Sequence, residues 1–239
     1  AALSQTEKML QEGADLIDLG PASSKPGSPL IGAEEEWERL APYLKALREA
    51  FPQAAWSVDT YNATTAARAL EAGAHMINDI SGGTHDPDMA RVIGEAKVPF
   101  VLMHMQGQPQ HMQENPQYQN VTKEVAYFFS KQIDHFNAQG AVNLILDPGF
   151  GFGKSLAHNY QLLQNLDLFK SVFNLPLLVG LSRKSMVQKV IDASAQEALN
   201  GSTVLHTLAL QKGADILRVH DVRAAWEACR LVVFSESQR

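Results

Sequence analysis

The sequence predicts an α/β fold of the (β/α)8 barrel type whose first strand is absent from the 239 residues, with one domain covering residues 1–239. Two observations predict this fold. Short apolar segments typical of strands alternate with amphipathic helical patterns along the whole chain, which is the order of parallel strands joined by helical crossovers. The segments are also introduced alternately by glycine and by proline, which indicates a repeated unit. An open seven-stranded sheet is the alternative.

Seven segments have the composition of buried strands. In chain order they are DLIDLG (15–20), AAWSVDT (54–60), HMINDIS (75–81), PFVLMHM (99–105), NLILDPG (143–149), LLVGLS (177–182) and DILRVH (215–220). Four follow a glycine, the usual residue at a helix C-terminus, and three are introduced by a proline. These residues are Gly13, Gly73, Gly140 and Gly213, and Pro52, Pro99 and Pro176. Each glycine-introduced strand pairs with a proline-introduced strand, which gives four units of two strands each. The first unit lacks its proline-introduced strand, so we expect eight strands in all.

The segments between the strands have the 3.6-residue period of helices that bury one face. One apolar stripe comprises Trp37, Leu40, Ala41, Leu44 and Leu47, and another comprises Val121, Val125, Phe128, Phe129, Ile133 and Phe136. The run Glu34–Glu36 is expected in a first helical turn, where the helix dipole favours negative charge. Asp86 and Pro87 have the sequence of an N-cap and a first helical residue.

Composition excludes several classes of protein. A net charge of -6 argues against a nucleic-acid surface, which needs clustered Lys and Arg. No apolar run approaches the length of a membrane span, and no targeting peptide is evident. The single cysteine, Cys229, excludes a disulfide within the chain and is expected in the core of a C-terminal helix beside Trp226. We therefore expect a cytoplasmic protein without a membrane or nucleic-acid partner.

Polar side chains follow nearly every predicted strand where it ends. They are Asp18, Asp59, Asn78, His104, Asp147, the run Ser182–Lys184 and the run Arg218–His220. Active sites of (β/α)8 barrels lie at these C-terminal strand ends. Because an unpaired polar group is costly at the mouth of a core, we expect these side chains to converge on a ligand.

The residue types indicate what that ligand offers. Asp59, Asp147 and Asn78 supply several acceptors and an amide donor, which suits a flat heterocycle such as a pterin or a guanine edge. The residues alone leave those two alternatives open.

Cationic and hydroxyl groups indicate anions beside the heterocycle. Arg218 and His220 stand at alternate positions of one strand and suit a phosphate or diphosphate. Ser182 and Lys184 precede a short helical segment, whose N-terminus favours negative charge. These groups predict anion binding without specifying the reaction.

Five motifs occur in barrel-like order: SVDTY (57–61), NDISGG (78–83), DPGFGFGK (147–154), VGLSRKSM (179–186) and RVHDV (218–222). Together they closely resemble those of the dihydropteroate synthase family, and the resemblance covers essentially the whole chain. It implies a transferase of folate biosynthesis that joins two small-molecule substrates, 4-aminobenzoate and a dihydropterin methyl diphosphate. A non-catalytic or degenerate pterin-binding barrel, or a pterin-binding methyltransferase domain, is the alternative.

The resemblance also implies a role for each matching residue. The pterin-binding residues would be Asp59, Asn78, Ile80, Met103, Asp147, Gly151, Lys184 and Arg218. The diphosphate would contact Ser24, Lys25, Arg218 and His220, and the aminobenzoate would contact Ser24, Pro26, Phe152, Ser182 and Lys184. Lys184, Arg218 and His220 would be catalytic. Within DPGFGFGK, Lys154 is expected to hold the loop and not to touch substrate.

Two departures from the family pattern affect these expectations. The family's Mg²⁺ ligand is an asparagine on the first strand, so Mg²⁺ is the expected cofactor but no metal ligand is assigned in this sequence. Residues 23–26 read Ser-Ser-Lys-Pro where the family usually has Ser-Thr-Arg-Pro, and lysine lacks the planar fork of arginine. The family is a sulfonamide target, and this loop leaves drug sensitivity open. A homodimer is a further expectation from the family.

Three other features have structural interpretations. His104 and His111 lie in a Gln- and Pro-rich loop without metal-site spacing, so they are expected to be structural or solvated. Trp56 is expected in the core. For Asp79 the sequence leaves a pocket role and a supporting role equally open.

Overall fold

A computed structural model describes residues 1–21 and 30–238 of the chain. These residues contain seven β-strands. They are β1 (Leu16–Leu19), β2 (Ala55–Asp59), β3 (Met76–Asp79), β4 (Phe100–Met103), β5 (Leu144–Asp147), β6 (Leu178–Val179) and β7 (Ile216–Leu217). Every predicted strand is present, although β6 and β7 are only two residues long.

Ten helices connect and flank these strands within the described part of the chain. They are α1 (Ala2–Gln11), α2 (Ala33–Ala50), α3 (Ala63–Glu71), α4 (Met89–Ala96), α5 (Val121–Ala138), α6 (Leu156–Gln164), α7 (Leu166–Phe173), α8 (Ser185–Ile191), α9 (Leu199–Gln211) and α10 (Val222–Glu236). None of the described helices combines the length and the apolar character that a membrane crossing requires.

All strands pair in parallel and in chain order. Strands β1 to β5 form one sheet, β6 and β7 form another, and a bridge between Leu146 and Leu177 connects the two. This order is that of a (β/α)8 barrel, because an open doubly wound sheet reverses its strand order at a switch point. Residues of strands β1 and β7 line the same cavity of about 520 Å³.

The helices bury the predicted apolar stripes. Leu40, Leu44 and Leu47 of α2 are buried, as are Phe129 and Phe136 of α5. Trp56 lies in the same core with 1% of its surface exposed, as predicted. The four strand-introducing glycines have φ between 91° and 102°, a conformation that favours glycine and turns the chain from helix into strand.

Two local expectations are wrong. Helix α4 begins at Met89 and not at Pro87. The two Asp86 carboxylate oxygens have different partners: Oδ1 accepts a hydrogen bond from the backbone N–H of Asp88 at 3.0 Å, and Oδ2 accepts one from the backbone N–H of Ala63 at 2.8 Å, in the first turn of α3. Cys229 is only half-buried, because the buried face of α10 comprises Val222, Ala225, Ala228 and Val232.

The acidic start of α2 is more than a solvated turn. All three glutamates lie in the first turn as predicted, but Glu36 is fully buried. Its Oε2 accepts hydrogen bonds from Thr60 Oγ1 at 2.6 Å and Asn62 Nδ2 at 2.9 Å. Glu36 therefore holds the turn that follows β2, the strand that ends at Asp59.

Candidate active site

Four polar residues meet at the C-terminal ends of β1, β2, β3 and β7. Asp18 Oδ2 accepts hydrogen bonds from Arg218 Nε at 2.7 Å and Asn78 Nδ2 at 3.1 Å, and Arg218 Nη2 lies 3.4 Å from Asp59 Oδ2. Burial and the neighbouring Asp18 raise the pKa of Asp59, although Arg218 acts in the opposite direction. The Arg218 side chain stays 44% exposed, so this cation faces the mouth of the barrel.

The sequence predicts that Asp18 lies at the end of a strand beside the site, but it assigns no role to this residue. Its carboxylate connects Arg218 to Asn78, and its Oδ1 is buried without a hydrogen-bond partner among the described residues. The available signal was its place at the end of a strand. The partner Arg218 is 200 residues away, so the pairing itself could not be read from local sequence.

Asp147 ends β5 as a buried carboxylate. Its Oδ1 accepts a hydrogen bond from the backbone N–H of Gly149 at 2.8 Å, which fixes the side chain at the start of the glycine-rich loop. Burial raises the pKa of Asp147, and the charge of Lys184 and the Gly149 hydrogen bond oppose that rise. A buried acceptor of this kind suits a ligand that supplies N–H donors.

Lys154 holds the glycine-rich loop, as predicted. The buried Nζ donates to the carbonyls of His104, Gly149 and Phe152 at 3.2, 3.0 and 2.9 Å. It also lies 3.0 Å from His104 Nδ1, and burial lowers the pKa of His104 to about 2, which leaves the imidazole neutral as an acceptor. Position 149 requires glycine, because a Cβ there would lie 1.9 Å from the His104 carbonyl oxygen.

Lys154→Met is expected to destabilise the protein by about 2–4 kcal/mol, because three carbonyls, two of them in buried hydrogen bonds, lose their donor. Thermal unfolding followed by circular dichroism measures the change. Lys170→Met, which removes a half-exposed lysine paired with Asp215, is the control and should cost about 1 kcal/mol or less. Equal losses in the two variants would contradict the loop-holding role of Lys154.

Lys184 and Phe152 face each other across the glycine-rich loop. Lys184 Nζ lies 4.8 Å from the centre of the Phe152 ring and donates to the Phe150 carbonyl. Burial lowers the pKa of Lys184 to about 8, although Asp147 acts in the opposite direction. A Cβ at Gly151 would lie 3.4 Å from Lys184 Cδ, so the glycine leaves room for the lysine stem.

A small apolar cluster adjoins these polar groups. Ile80 and Met103 are buried together with Tyr61, and Phe152 packs against them. The structure therefore brings the predicted apolar wall residues into contact with the predicted aromatic wall.

Ser182 and His220 connect the ends of β6 and β7. Ser182 Oγ lies 3.1 Å from His220 Nδ1 and accepts a hydrogen bond from the His220 backbone N–H at 3.2 Å. Burial and the nearby Arg218 lower the pKa of His220. Near neutral pH this favours an imidazole that both donates and accepts.

Several other predictions have clear outcomes. Ser24, Lys25 and Pro26 lie outside the described residues. Asp79 supports a loop, because its two oxygens accept hydrogen bonds from Ser81 and Gly83. His111 is exposed beside Glu114.

The assembled site combines two kinds of recognition. Buried carboxylates and an amide lie beside an apolar wall, which suits the edge and faces of a polar heterocycle. Cationic and imidazole groups lie at the adjacent mouth, which suits an anion. The site can therefore orient a heterocycle and stabilise negative charge next to it.

Comparisons with known proteins agree with this arrangement. The Pterin binding enzyme family matches residues 1–220. Dihydropteroate synthase of Escherichia coli (strain K12) is 42% identical over 234 residues, covering 97% of this chain and 82% of that protein. A crystal structure of Yersinia pestis dihydropteroate synthase with a sulfonamide drug superposes with a TM-score of 0.93 at 41% identity, over 99% of this chain and 85% of that one.

A second solved relative carries one of the expected substrates. The Thermus thermophilus dihydropteroate synthase in complex with 4-aminobenzoate superposes with a TM-score of 0.91 at 38% identity, covering 98% of this chain and 89% of that one. The sequence identity to these relatives and the superposition on their structures thus agree with the five motifs, the strand order and the convergent strand-end residues. The chain belongs to the pterin-binding enzyme family and, within it, to the dihydropteroate synthases.

Proposed function

We propose that this chain condenses 4-aminobenzoate with (7,8-dihydropterin-6-yl)methyl diphosphate, giving 7,8-dihydropteroate and diphosphate in folate biosynthesis. The observation that carries the proposal is the convergence of Asp147, Lys184 and Arg218 at adjoining strand ends in a member of the dihydropteroate synthases. Each of these groups meets a requirement of the reaction.

Pterin recognition is assigned to the buried acceptors. Asp147 would accept hydrogen bonds from ring and amino N–H groups, while Asn78 donates and accepts at the same edge. Ile80, Met103 and Phe152 would cover the faces of the ring. This set holds the electron-rich heterocycle in a fixed orientation, which supports positive charge on its exocyclic methylene carbon.

Departure of the diphosphate is the difficult step. The methylene C–O bond breaks with its electron pair leaving on the diphosphate, the aromatic amine forms the new C–N bond, and that nitrogen then loses a proton. Arg218 and His220 would stabilise the leaving charge. An aromatic amine is neutral and nucleophilic at pH 7, so this substitution needs no strong base and is consistent with a dissociative path.

The aminobenzoate subsite is assigned to Ser182, Lys184 and Phe152. Lys184 is cationic below its pKa of about 8 and would attract the carboxylate, while Phe152 lies along the aromatic ring. The Yersinia pestis relative carries a sulfonamide drug. We propose that sulfonamides compete with 4-aminobenzoate at this subsite.

Magnesium remains a proposal for the bound state. The described residues contain no cluster of three potential metal ligands, so they do not by themselves form a Mg²⁺ site. Mg²⁺ is commonly held by one or two protein oxygens together with substrate phosphates, and Asp18 Oδ1 is an oxygen without a partner among the described residues at this mouth. Such an ion would neutralise diphosphate charge, and the residue roles proposed above do not depend on it.

A homodimer and a cytoplasmic location complete the proposal. Apolar side chains are exposed on α9 and α10, two helices that pack against each other. They are Val204, Leu208, Leu231, Val233 and Phe234. Exposed apolar side chains on two packed helices are typical of a protein interface and support a second copy of the chain as their partner. Sedimentation velocity at several protein concentrations measures the oligomeric state.

Diphosphate release by the purified protein tests the function. We expect turnover only when 4-aminobenzoate and the pterin diphosphate are both present, and loss of turnover after treatment with EDTA that added Mg²⁺ restores. Pterin binding without turnover at any Mg²⁺ concentration would contradict the enzyme and favour a non-catalytic pterin-binding barrel. Methyl transfer in place of diphosphate release would indicate a methyltransferase domain.

A further inference from the structure

Two charged residues of the site motifs have no role in the steps above. Arg183 lies between Ser182 and Lys184, and Asp221 directly follows His220. Arg183 Nε donates to Asp221 Oδ2 and Nη2 donates to Asp221 Oδ1, both at 2.7 Å. The two residues are 38 positions apart, so this ion pair joins the turn after β6 to the turn after β7.

The geometry of the Arg183–Asp221 ion pair is held from several sides. Arg183 has a φ of 55°, in the left-handed region that few residues other than glycine adopt. Its backbone N–H donates to Ser202 Oγ at 2.9 Å, and its carbonyl accepts from Gln188 Nε2 at 2.7 Å. Its Nη1 donates to the Ala195 carbonyl at 3.2 Å. A strained turn held by this many bonds is typical of a functional site.

The ion pair also lies beside a direct contact between the two turns. Ser182 and His220 make two contacts, at 3.1 and 3.2 Å, and each is the sequence neighbour of one ion-pair residue. A change in the distance between Arg183 and Asp221 therefore displaces Ser182 relative to His220.

We propose that the Arg183–Asp221 ion pair is a positioning device that sets the spacing between the aminobenzoate subsite and the diphosphate subsite. The proposal rests on the roles proposed above for Ser182, Lys184, Arg218 and His220. Attack by the amine and departure of the diphosphate occur at one carbon, so the two subsites must keep a fixed separation for the reacting atoms to align. A bidentate arginine and carboxylate fix both distance and orientation, which a single contact does not.

Another ion pair in this chain provides a matched control. Arg68 Nη1 and Nη2 donate to the two carboxylate oxygens of Glu34 at 2.9 and 2.7 Å. This pair is also bidentate, but it joins α3 to α2 and neither residue adjoins a proposed substrate-binding residue. Arg68→Lys therefore removes the bidentate geometry of an arginine–carboxylate pair that does not connect the two subsites.

Substrate affinities in four variants test the proposal. The variants are Arg183→Lys, Asp221→Asn, Arg183→Lys with Asp221→Glu, and Arg68→Lys. We expect the KM for 4-aminobenzoate and the Kd for inorganic diphosphate to rise about fivefold or more in the first two. The double variant should recover part of the loss, because the longer glutamate reaches the lysine. Arg68→Lys should leave both constants within about twofold of wild type.

These constants separate positioning from simple loss of folded protein. A smaller folded fraction lowers the apparent kcat but leaves KM and Kd unchanged. Unchanged KM and Kd in Arg183→Lys and Asp221→Asn would overturn the proposal, and so would equal shifts in Arg68→Lys. Should Asp221→Asn fail to fold, Ser202→Ala removes the acceptor of the Arg183 N–H and should raise the same two constants.

Failure of the positioning role can also be distinguished from failure of the proposed function. Diphosphate affinity is measured by calorimetry without turnover, so it tests the ion pair even if the wild-type protein fails to release diphosphate. An active wild type with unaltered Arg183→Lys affinities would refute only the positioning role.

Discussion

Asp147→Asn is expected to weaken binding of the pterin diphosphate by about 100-fold, equivalent to about 2.7 kcal/mol. The buried carboxylate offers acceptors to ligand N–H groups, and hydrogen bonds to a charged partner contribute about 1.5–3 kcal/mol. Asparagine keeps the shape but presents an amide N–H₂ where one acceptor stood, so a ligand donor would face a protein donor. Calorimetric titration with the pterin diphosphate measures the change.

The same carboxylate makes pterin binding depend on pH. Burial raises the pKa of Asp147, and the acid is an acceptor at both oxygens only when ionised, above that pKa. The contribution of Asp147 to the affinity should therefore be complete above its raised pKa and should fall as the pH drops through that pKa. Asp147→Asn has no ionisation at this position, so its affinity should lose this part of the pH dependence.

Asp215→Asn is the matched control for Asp147→Asn. Asp215 accepts hydrogen bonds from Lys170 at 2.7 Å and from the Leu177 N–H at 2.8 Å, but it lies before β7, at the amino ends of the strands. Its replacement should lower stability without changing pterin affinity. A loss of affinity of the same size in Asp215→Asn, or none in Asp147→Asn, would remove Asp147 from the pterin site.

The fold was predictable because its signals are local. A glycine or a proline before an apolar run depends on neighbouring residues only, and all seven predicted strands follow one of these two signals. The errors arose where tertiary contact overrode a local preference. Asp86 makes the local contact to the Asp88 N–H that its sequence predicts, but its second oxygen binds the Ala63 N–H of α3, and its own helix begins only at Met89.

Site residues were predictable when strand position and side-chain chemistry coincided. Asp59 and Arg218 meet as expected from their places at strand ends. The role of Asp18 depends on a partner 200 residues away, which only the closed order of strands brings into contact. Glu36 had a signal that could have been used, because it lies four residues before Leu40 and so on the buried face of α2.

The hydrogen-bond network around Arg218 reduces the free-energy cost of burying charged groups. Asp18 and Asp59 are mostly buried, and each carboxylate alone would have a large desolvation cost. One guanidinium contacts both, so the acids orient the arginine while the arginine lowers the cost of the acids. A residue held by two carboxylates keeps its position while its exposed edge meets an anion.

Arg218→Ala is expected to lower kcat by about 1000-fold, since loss of one fixed donor to a developing charge costs about 100- to 1000-fold and arginine supplies several donors. Arg218→Lys should recover about tenfold, because lysine retains the charge but not the planar fork. Diphosphate release at saturating concentrations of both substrates measures kcat. A kcat for Arg218→Ala above about a tenth of the wild-type value would contradict the role of this residue in leaving-group departure.

Asp18→Asn separates the two effects of removing Arg218. Arg218→Ala takes a donor from the leaving group and also leaves Asp18 and Asp59 as unpaired neighbouring acids. The double variant Asp18→Asn with Arg218→Ala removes one of those acids, so its stability should exceed that of Arg218→Ala. Its kcat should stay as low, because the cation that meets the diphosphate is still missing. Recovery of kcat together with stability would instead show that the loss came from the unpaired acids and not from the leaving group.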